Sequence, residues 1–485
     1  MVINLYDCII IGGGIIGCAA AYELSRYKLR VLLVEKENDV ARGTTRANSA
    51  IVHAGYDPVP GSNMARTNVR GCAMMPELCQ RLSVPFKRPG SLVLAFNEDD
   101  LAHIRKLYDR GVENGVPDMK LLNREETLAI EPNIEDEVCG ALYAPTAGIV
   151  SPWELALALA ETAATNGVDF AFDSPVTAIE RRDDALTVIT PDASYETRTV
   201  INAAGLYADK IHELIGGTGF TLHADKGAYF LLDKNQGKLA RQVVFQCPSE
   251  KGKGVLVSPT VHGNLIVGPD AVPGCDRDDV SVQAESLAMI RAAACRSIRG
   301  IDFRDNIRNF AGNRARGLSD FLIAPSPVDA RFINLAGIQS PGLSSAPAIA
   351  EEAAELVRAA GVELVAKENF VDHREKVYFK ELTREQQAEV IRKNPLYGRI
   401  VCRCETITEG EIVDAIHRPL PPHTVDGVKR RCGTGMGRCQ GGFCGIRVHE
   451  ILARELGVPM ESIMKDRPGS YIVLGQTKGG SVHEN

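Results

Sequence analysis

Two groups of residues in this 485-residue chain have types and spacings suited to chemistry. The first is Gly12-x-Gly14-x-x-Gly17, with Glu35 downstream. Glycine at the first position permits a tight turn, at the second lets backbone approach a pyrophosphate, and at the third lets a helix pack closely on a strand. A carboxylate at Glu35 can accept hydrogen bonds from ribose hydroxyls. A glycine triplet alone also reads as a turn with no ligand. The second group lies late in the chain. Of thirteen cysteines, eight are scattered between Cys8 and Cys295, whereas Cys402, Cys404, Cys432, Cys439 and Cys444 cluster. Cys402-x-Cys404 and Cys439-x4-Cys444 supply four thiolates. Soft sulfur ligands favour an iron-sulfur cluster or zinc, and the spacing does not choose between them. Cys432 is a fifth thiol that could exchange roles with Cys439.

Both groups need scaffolds. Asp7 to Ile11 is apolar and β-branched, Gly12 to Gly17 turns, Ala19 to Ser25 suits a helix, and Val31 to Val34 is a second buried strand, together a βαβ unit. Around Phe86 to Phe96, and from Tyr229 to Val267, strand-like runs punctuated by Gly and Pro predict an antiparallel sheet inserted into the nucleotide-binding fold. Pro152 to Ala164 reads as a helix with Ser151 as N-cap, and Thr197 to Asn202 as a strand ending at Ala203-Ala204-Gly205. Ile333 to Ala336 leads through a glycine loop into a helix from Ala346 to Ala359. From Ala366 to Tyr397 the chain is charged and helix-prone, and Pro395 breaks it before the cysteines.

Beyond Glu35, the segment Arg42 to Ser49 offers hydroxyls, amides and guanidinium groups, and the loop Gly337 to Leu343 precedes a helix whose N-terminus can face negative charge on a flavin. A nicotinamide domain needs neither, so FAD is the expected dinucleotide. Through the glycine motif, Gly43-Thr44-Thr45 with Asn48-Ser49, His53-Ala54-Gly55, Ala203-Ala204-Gly205 and the late glycine loop, residues 5 to 360 resemble the D-amino-acid-oxidase-like FAD oxidoreductases. More narrowly they resemble the flavin glycerol-3-phosphate dehydrogenases and their L-2-hydroxyglutarate oxidase relatives. The resemblance implies an α/β fold, with a Rossmann-like FAD domain and an inserted, mostly antiparallel substrate domain. It also implies cofactor contacts at Gly12, Gly14, Ile15, Ile16, Gly17, Glu35, Lys36, Thr44, Thr45, Asn48, Ser49, Val176, Ala204, Gly205, Gly337, Gly342 and Leu343.

The family removes a hydride from a carbinol or amine carbon to flavin N5 while a nearby group accepts a proton. His53 is the candidate for that group, because imidazole titrates near working pH; a lone His in a glycine turn is otherwise structural. Arg314, in Gly312-Asn313-Arg314, matches a turn that anchors the substrate's anion, and its planar fork suits carboxylate or phosphate. Ala315 and Arg316 follow where the family often has Pro, so either guanidinium could point inward, and a surface salt bridge is the plain alternative. Lys253 matches a basic contact less specifically, with Lys251 an equal contender and a solvated lysine the plainer reading. Ser340 and Ser344 could add hydroxyls to the flavin-facing loop, although helix capping accounts for Ser344 almost as well.

Residues 399 to 448, through Val401-Cys402-Arg403-Cys404-Glu405, Lys429-Arg430-Arg431 and Gly435 to Cys444, resemble the bacterioferritin-associated-ferredoxin-like domain. This implies a [2Fe-2S] cluster on Cys402, Cys404, Cys439 and Cys444 in a small helical module, and a relay to an electron-accepting flavoprotein, iron-sulfur or quinone-linked partner. The expected organisation is an FAD domain at 1–85, 146–215 and 330–365, a substrate domain at 86–145 and 216–329, a helical linker at 366–398, the cluster module, and a tail from 449. The leading expectation is a dehydrogenase of glycerol 3-phosphate. Rivals are a 2-hydroxy-acid or amine dehydrogenase, and an electron-transfer scaffold without turnover.

Composition limits the partners. At 45% hydrophobic the chain can bury a large core. A net charge of −7 and a pI near 5.9, without long Lys/Arg runs, give no footprint for nucleic acid or an anionic membrane. No leader pattern or long apolar run is seen, so a cytoplasmic protein is expected.

Overall fold

The apolar run at the start forms the strand Tyr6–Ile11, which lies parallel between Val31–Val34 and Ser194–Asn202. The computed structural model describes residues 5–247 and 254–475. Asp169–Ala171 extends the sheet beside Val31–Val34, and Phe332–Ala336 pairs with the C-terminal end of Ser194–Asn202, both in parallel. The N-terminal end of Ser194–Asn202 pairs antiparallel with Leu186–Ile189. Every residue of Val31–Val34 and Phe332–Ala336 is buried, as expected where helices cover both faces of a parallel sheet. The helix Ile15–Leu24 packs against Pro152–Thr165 and Gly342–Ala359.

The last of these helices begins ahead of the Ala346 start that composition suggests. Small residues there allow close approach: a Cβ on Gly71, in the helix Asn63–Arg81, would lie 2.0 Å from the Ser344 carbonyl oxygen. Ser344 and Ser345 are thereby buried as a helical turn.

The inserted sheet contains Ser91–Ala95, Gly140–Ala144, Lys120–Asn123, His223–Leu232, Val243–Gln246, Leu256–Pro259, Leu265–Gly268, Val272–Cys275 and Asn306–Arg316. Its pairings are antiparallel except Val243–Gln246 beside Ser91–Ala95. Leu92, Leu94, Phe230, Val257 and Val267 belong to one buried cluster on it. The anticipated architecture, a Rossmann-like domain carrying an inserted, mostly antiparallel sheet, is present.

The chain forms two compact units, Met1–Glu375 and Lys376–Asn485. The stretch 366–398, anticipated as helical, is an α-helix only over Arg384–Lys393, which starts with a Thr383/Gln386 capping box. Residues upstream of the unit boundary are irregular and tied down by side-chain partners in the first unit. Val371 N–H donates to Asn166 Oδ1 (2.9 Å), and Arg374 pairs with buried Glu161 (3.1 Å). Propensity alone does not register such partners.

Beyond Arg384–Lys393, the described part of the second unit has a short hairpin, Ile400–Cys402 with Ile407–Thr408, and the α-helices Glu409–Ile416, Val425–Cys432 and Gly445–Leu456. Ile412, Ile416, Val428, Val448, Ile451 and Leu452 form its core. Among the described residues, no helix is long and apolar enough to cross a membrane.

Candidate functional site

The glycine turn is forced by close backbone approach. Gly12 has φ +108°, and a Cβ there would lie 2.5 Å from Ala203 O, while one on Gly17 would lie 1.9 Å from Gly12 O. Only hydrogen fits at either place. Ala203 N–H donates to Ile11 O (2.9 Å), so Ala203-Ala204-Gly205 stands beside the turn at the strand ends. Gly14 is the N-cap of Ile15–Leu24 and has no side-chain cap, leaving the helix N-terminus to backbone N–H groups, the usual partners of a pyrophosphate. Both Ile15 and Ile16 are buried at that end.

Glu35 Oε2 accepts from Gly13 N–H (2.6 Å) and Oε1 from Glu37 N–H (2.9 Å). Burial pushes its carboxyl above the usual range, against the pull of those two donors. The carboxylate is thus locked at the turn, with lone pairs left over for ribose hydroxyls. Beside it, the Lys36 ammonium lies 4.1 Å from the Tyr207 ring centroid, and Val176 packs on the apolar cluster under the sheet.

The arc from Arg42 to Ser49 ties the turn to the inserted sheet. Thr45 Oγ1 accepts from Ile15 N–H (2.9 Å), Thr44 Oγ1 donates to Asn313 O (2.6 Å), and Asn48 Nδ2 donates to Thr45 O (2.9 Å). A Cβ on Gly312 would meet Ala47 O at 1.9 Å. Several of these side chains are committed to backbone, so in this structure the arc positions more than it presents. Ser49 is the exception: its hydroxyl is 3.1 Å from the Tyr229 hydroxyl.

Tyr229 also hydrogen-bonds Arg314, whose charge opposes the rise that burial imposes on the phenol. Arg314 Nη2 donates to Asp270 O (2.9 Å), and a Cβ on Gly227, across the strand pair, would fall 2.5 Å from Nη2. The structure separates the two guanidiniums proposed for the anion. Arg314 is half-buried in this group, whereas Arg316 is exposed and bonds Gln339 (2.5 Å) and Asp225 (3.3 Å).

His53 lies on a second group. Its Nε2 is 3.3 Å from Ser340 Oγ, its ring stacks on Phe245 with centroids 5.8 Å apart, and its carbonyl accepts from Asn68 Nδ2 (2.7 Å). His53, Asn68, Ser340 and Pro341 line a small depression together with Gly55 to Pro58. Tyr229 and Phe245 pack on one apolar cluster with Ile51, so the His53 and Arg314 groups share a wall. Gly337 turns with φ +64°, Gly342 opens the helix, and Leu343 follows it half-buried.

Ser344 departs from the expected substrate contact. It is fully buried, its hydroxyl accepting from His53 N–H (2.7 Å) and donating to Ile51 O (3.4 Å). It braces the His53 strand rather than facing an opening. Lys253, with Lys251, lies outside the described residues. Sequence reading missed Tyr229, Asp270, Phe245 and Asn68. Tyr229 and Phe245 look like ordinary strand aromatics, Asp270 contributes a backbone carbonyl, and Asn68 is one more polar helical residue, so no local signal marks them.

In the second unit the four expected thiols come in two pairs. Cys402 and Cys444 hydrogen-bond one another, as do Cys404 and Cys439. The Cys444 thiol and the Gly435 and Glu405 N–H groups hold Cys402 down, to about 6, and Cys439 is lowered chiefly by Phe443 N–H. Thr406 and Gln440, at φ +55° and +49°, help curl the backbone so that its N–H groups face sulfur. A Cβ on Gly437 would lie 2.5 Å from the Cys404 Cβ. Two thiol pairs ringed by amides fit two irons, each keeping two thiolates. Among the described residues, no three His, Cys, Asp or Glu side chains converge as a single-ion site would require. Cys432 stands apart: its thiol donates to Val428 O (3.3 Å) and burial raises it to about 11.

Comparison with known proteins adds the following. Residues 7–356 match the model of the FAD dependent oxidoreductase family, DAO, and residues 400–454 match that of the BFD-like [2Fe-2S] binding domain. A glycerol 3-phosphate dehydrogenase of Caloramator mitchellensis is 51% identical over 476 residues, 98% of this chain and 99% of the relative. The human mitochondrial L-2-hydroxyglutarate dehydrogenase is 30% identical over 290 residues, 56% of this chain and 62% of its own length. Among solved structures, the dithionite-reduced L-α-glycerophosphate oxidase of Mycoplasma pneumoniae with FAD bound superimposes with a TM-score of 0.74 at 33% identity, covering 78% of this chain and all of that one.

Proposed function

The chain belongs to the FAD dependent oxidoreductase (DAO) family, and from that membership we propose that it oxidises glycerol 3-phosphate to dihydroxyacetone phosphate and exports the electrons. It is an FAD-dependent oxidoreductase with a BFD-like [2Fe-2S] domain. One observation carries the proposal: a relative matched from end to end, thiol module included, is a glycerol 3-phosphate dehydrogenase. The glycerophosphate oxidase, by contrast, is fully covered by 78% of this chain.

FAD, when bound, supplies the acceptor for a hydride from the carbinol carbon, and the [2Fe-2S] centre supplies a one-electron carrier. The Gly12 to Gly17 turn would hold the pyrophosphate, Glu35 the ribose, and the Gly337 to Leu343 loop the ring side. Arg314, steadied by Tyr229 and the Asp270 carbonyl, is assigned the substrate's phosphate, because its fork offers several fixed donors. His53, with Ser340 on its Nε2, is assigned the hydroxyl proton.

Arg314 would serve a carboxylate as well, and the partial match to an L-2-hydroxyglutarate dehydrogenase makes that the second reading. The test is anaerobic bleaching of the purified flavin. Glycerol 3-phosphate should bleach it and reduce an added dye, while L-2-hydroxyglutarate should not. The reverse would move the assignment, and bleaching by neither would leave a scaffold.

A further inference from the structure

We propose that the exposed face around the cysteine pairs is a docking surface for an acidic, one-electron redox protein. The inference rests on the electron-export reading above. Phe443 is 75% exposed and Ile446 48% exposed, although their neighbours Cys444 and Val448 are buried. Phe443 lies in the turn just ahead of Gly445–Leu456 and Ile446 in the first turn of that helix, three positions apart. Neither contributes to the core of the unit.

Exposed arginines flank the cysteines and follow the apolar pair in sequence. Arg403 is exposed between Cys402 and Cys404, and Arg438 is exposed just before Cys439. Arg447 follows Ile446 and shares its guanidinium with Glu450 (2.6 Å). Glu405, the acidic residue nearest in sequence, is buried and pairs with Lys380 (3.5 Å). Exposed charge around the pair is therefore mainly positive, three arginines against the one half-exposed carboxylate of Glu450.

The asymmetry extends to the whole unit. Lys376–Asn485 carries 17 Lys and Arg against 13 Asp and Glu, net +4, while Met1–Glu375 carries 38 against 49, net −11. A negative chain overall thus presents a positive module. An aromatic anchor with an arginine rim is the composition of a protein-binding patch. Its site at exposed Cys404 and half-exposed Cys439 selects a redox partner, because a protein seated there approaches the cluster ligands directly. In the exchange, the partner's oxidised centre gains the single electron that the reduced [2Fe-2S] centre loses.

The test is calorimetric titration of oxidised holoenzyme, without substrate, using oxidised flavodoxin as the acidic probe and cytochrome c as the basic one. Flavodoxin should bind more tightly at about 10 mM salt and lose at least about tenfold in affinity by about 200 mM. Arg447→Glu should weaken it at least about fivefold with iron content and visible spectrum unchanged, and Phe443→Ser should weaken it without altering the salt slope. Arg392→Glu with Lys393→Glu, equally basic positions on another helix, should leave binding as it was. Tighter binding of cytochrome c, equal losses in the control variant, or no loss in Arg447→Glu and Phe443→Ser would overturn the proposal. So would tight binding to phosphatidylserine-containing vesicles that the same two substitutions abolish. Because no turnover is involved, failure here is separate from failure of the glycerol 3-phosphate assignment.

Discussion

The two units build their sites in opposite ways. The flavin-type site draws on residues at 12–17, 35, 42–49, 203–205 and 337–344, brought to one end of a parallel sheet whose strands are pinned along their length. The thiol site draws its four candidate ligands from Cys402 to Cys444, at the end of one short strand and ahead of one helix in a small helical unit. In the first, the core places the site and would persist without a ligand. In the second, cysteines are themselves core: Cys402 and Cys444 belong to its apolar cluster, an arrangement that would couple metal binding to folding there.

The sharpest way to break this contrast is to remove one thiol. Cys402→Ser should take iron from about two per chain to near zero and loosen the second unit, while bound FAD remains. Cys432→Ser should keep the iron, since that thiol already bonds Val428 O. Iron assay and flavin absorbance on the same sample check both. Loss of FAD in Cys402→Ser would mean the units are not independent in this sense.

The converse probe is Gly17→Ala. The methyl would sit 1.9 Å from Gly12 O, a backbone atom that cannot swing away. Overpacking of that kind costs about 1–3 kcal/mol, so FAD affinity should fall about tenfold to a hundredfold with the iron untouched. Arg314→Ala is smaller in reach but specific: KM for glycerol 3-phosphate should rise at least about tenfold, with FAD and iron retained. Unchanged steady-state kinetics would remove Arg314 from the substrate.

These differences also govern how much the sequence disclosed. Glycines at the dinucleotide turn and paired cysteines are legible because each states a local demand, either space for backbone or soft ligands at short spacing. The βαβ start and the inserted sheet follow from runs of apolar and β-branched residues. What stayed hidden is tertiary. Tyr229 matters because its hydroxyl bonds Arg314 and Ser49, and Ser344 serves His53 from a distant helix. The composition of 366–398 predicts helix throughout, yet Asn166 and Glu161 hold Val371 and Arg374 in an irregular segment. A side chain whose purpose is a partner far along the chain carries no mark of it.

Ser344 sharpens the distinction between touching substrate and holding the residue that does. Ser344→Ala would leave His53 N–H without its acceptor in a buried place, a loss of about 1–2 kcal/mol of stability. A pure brace predicts a lower melting temperature with KM nearly unchanged, whereas a substrate contact predicts the reverse. Thermal melting beside steady-state kinetics separates them.

The smallest effect lies in acid. His212 is buried, 3% exposed, stacked on Phe220 and Phe332 and bonded to Ser326 Oγ (2.8 Å), and burial lowers its pKa below 6.5. The unfolded chain takes up a proton near pH 6.5 that the folded unit refuses. Stability therefore begins to fall as pH drops through that value, and this contribution is fully lost once pH passes below the depressed folded pKa. The flavin-release midpoint should drop by about 1–2 °C over that window beyond what His212→Gln shows. The visible absorbance of the iron-sulfur centre, followed on the same sample as a report on the second unit, should show no such difference between the two proteins, because His212 belongs to the first unit.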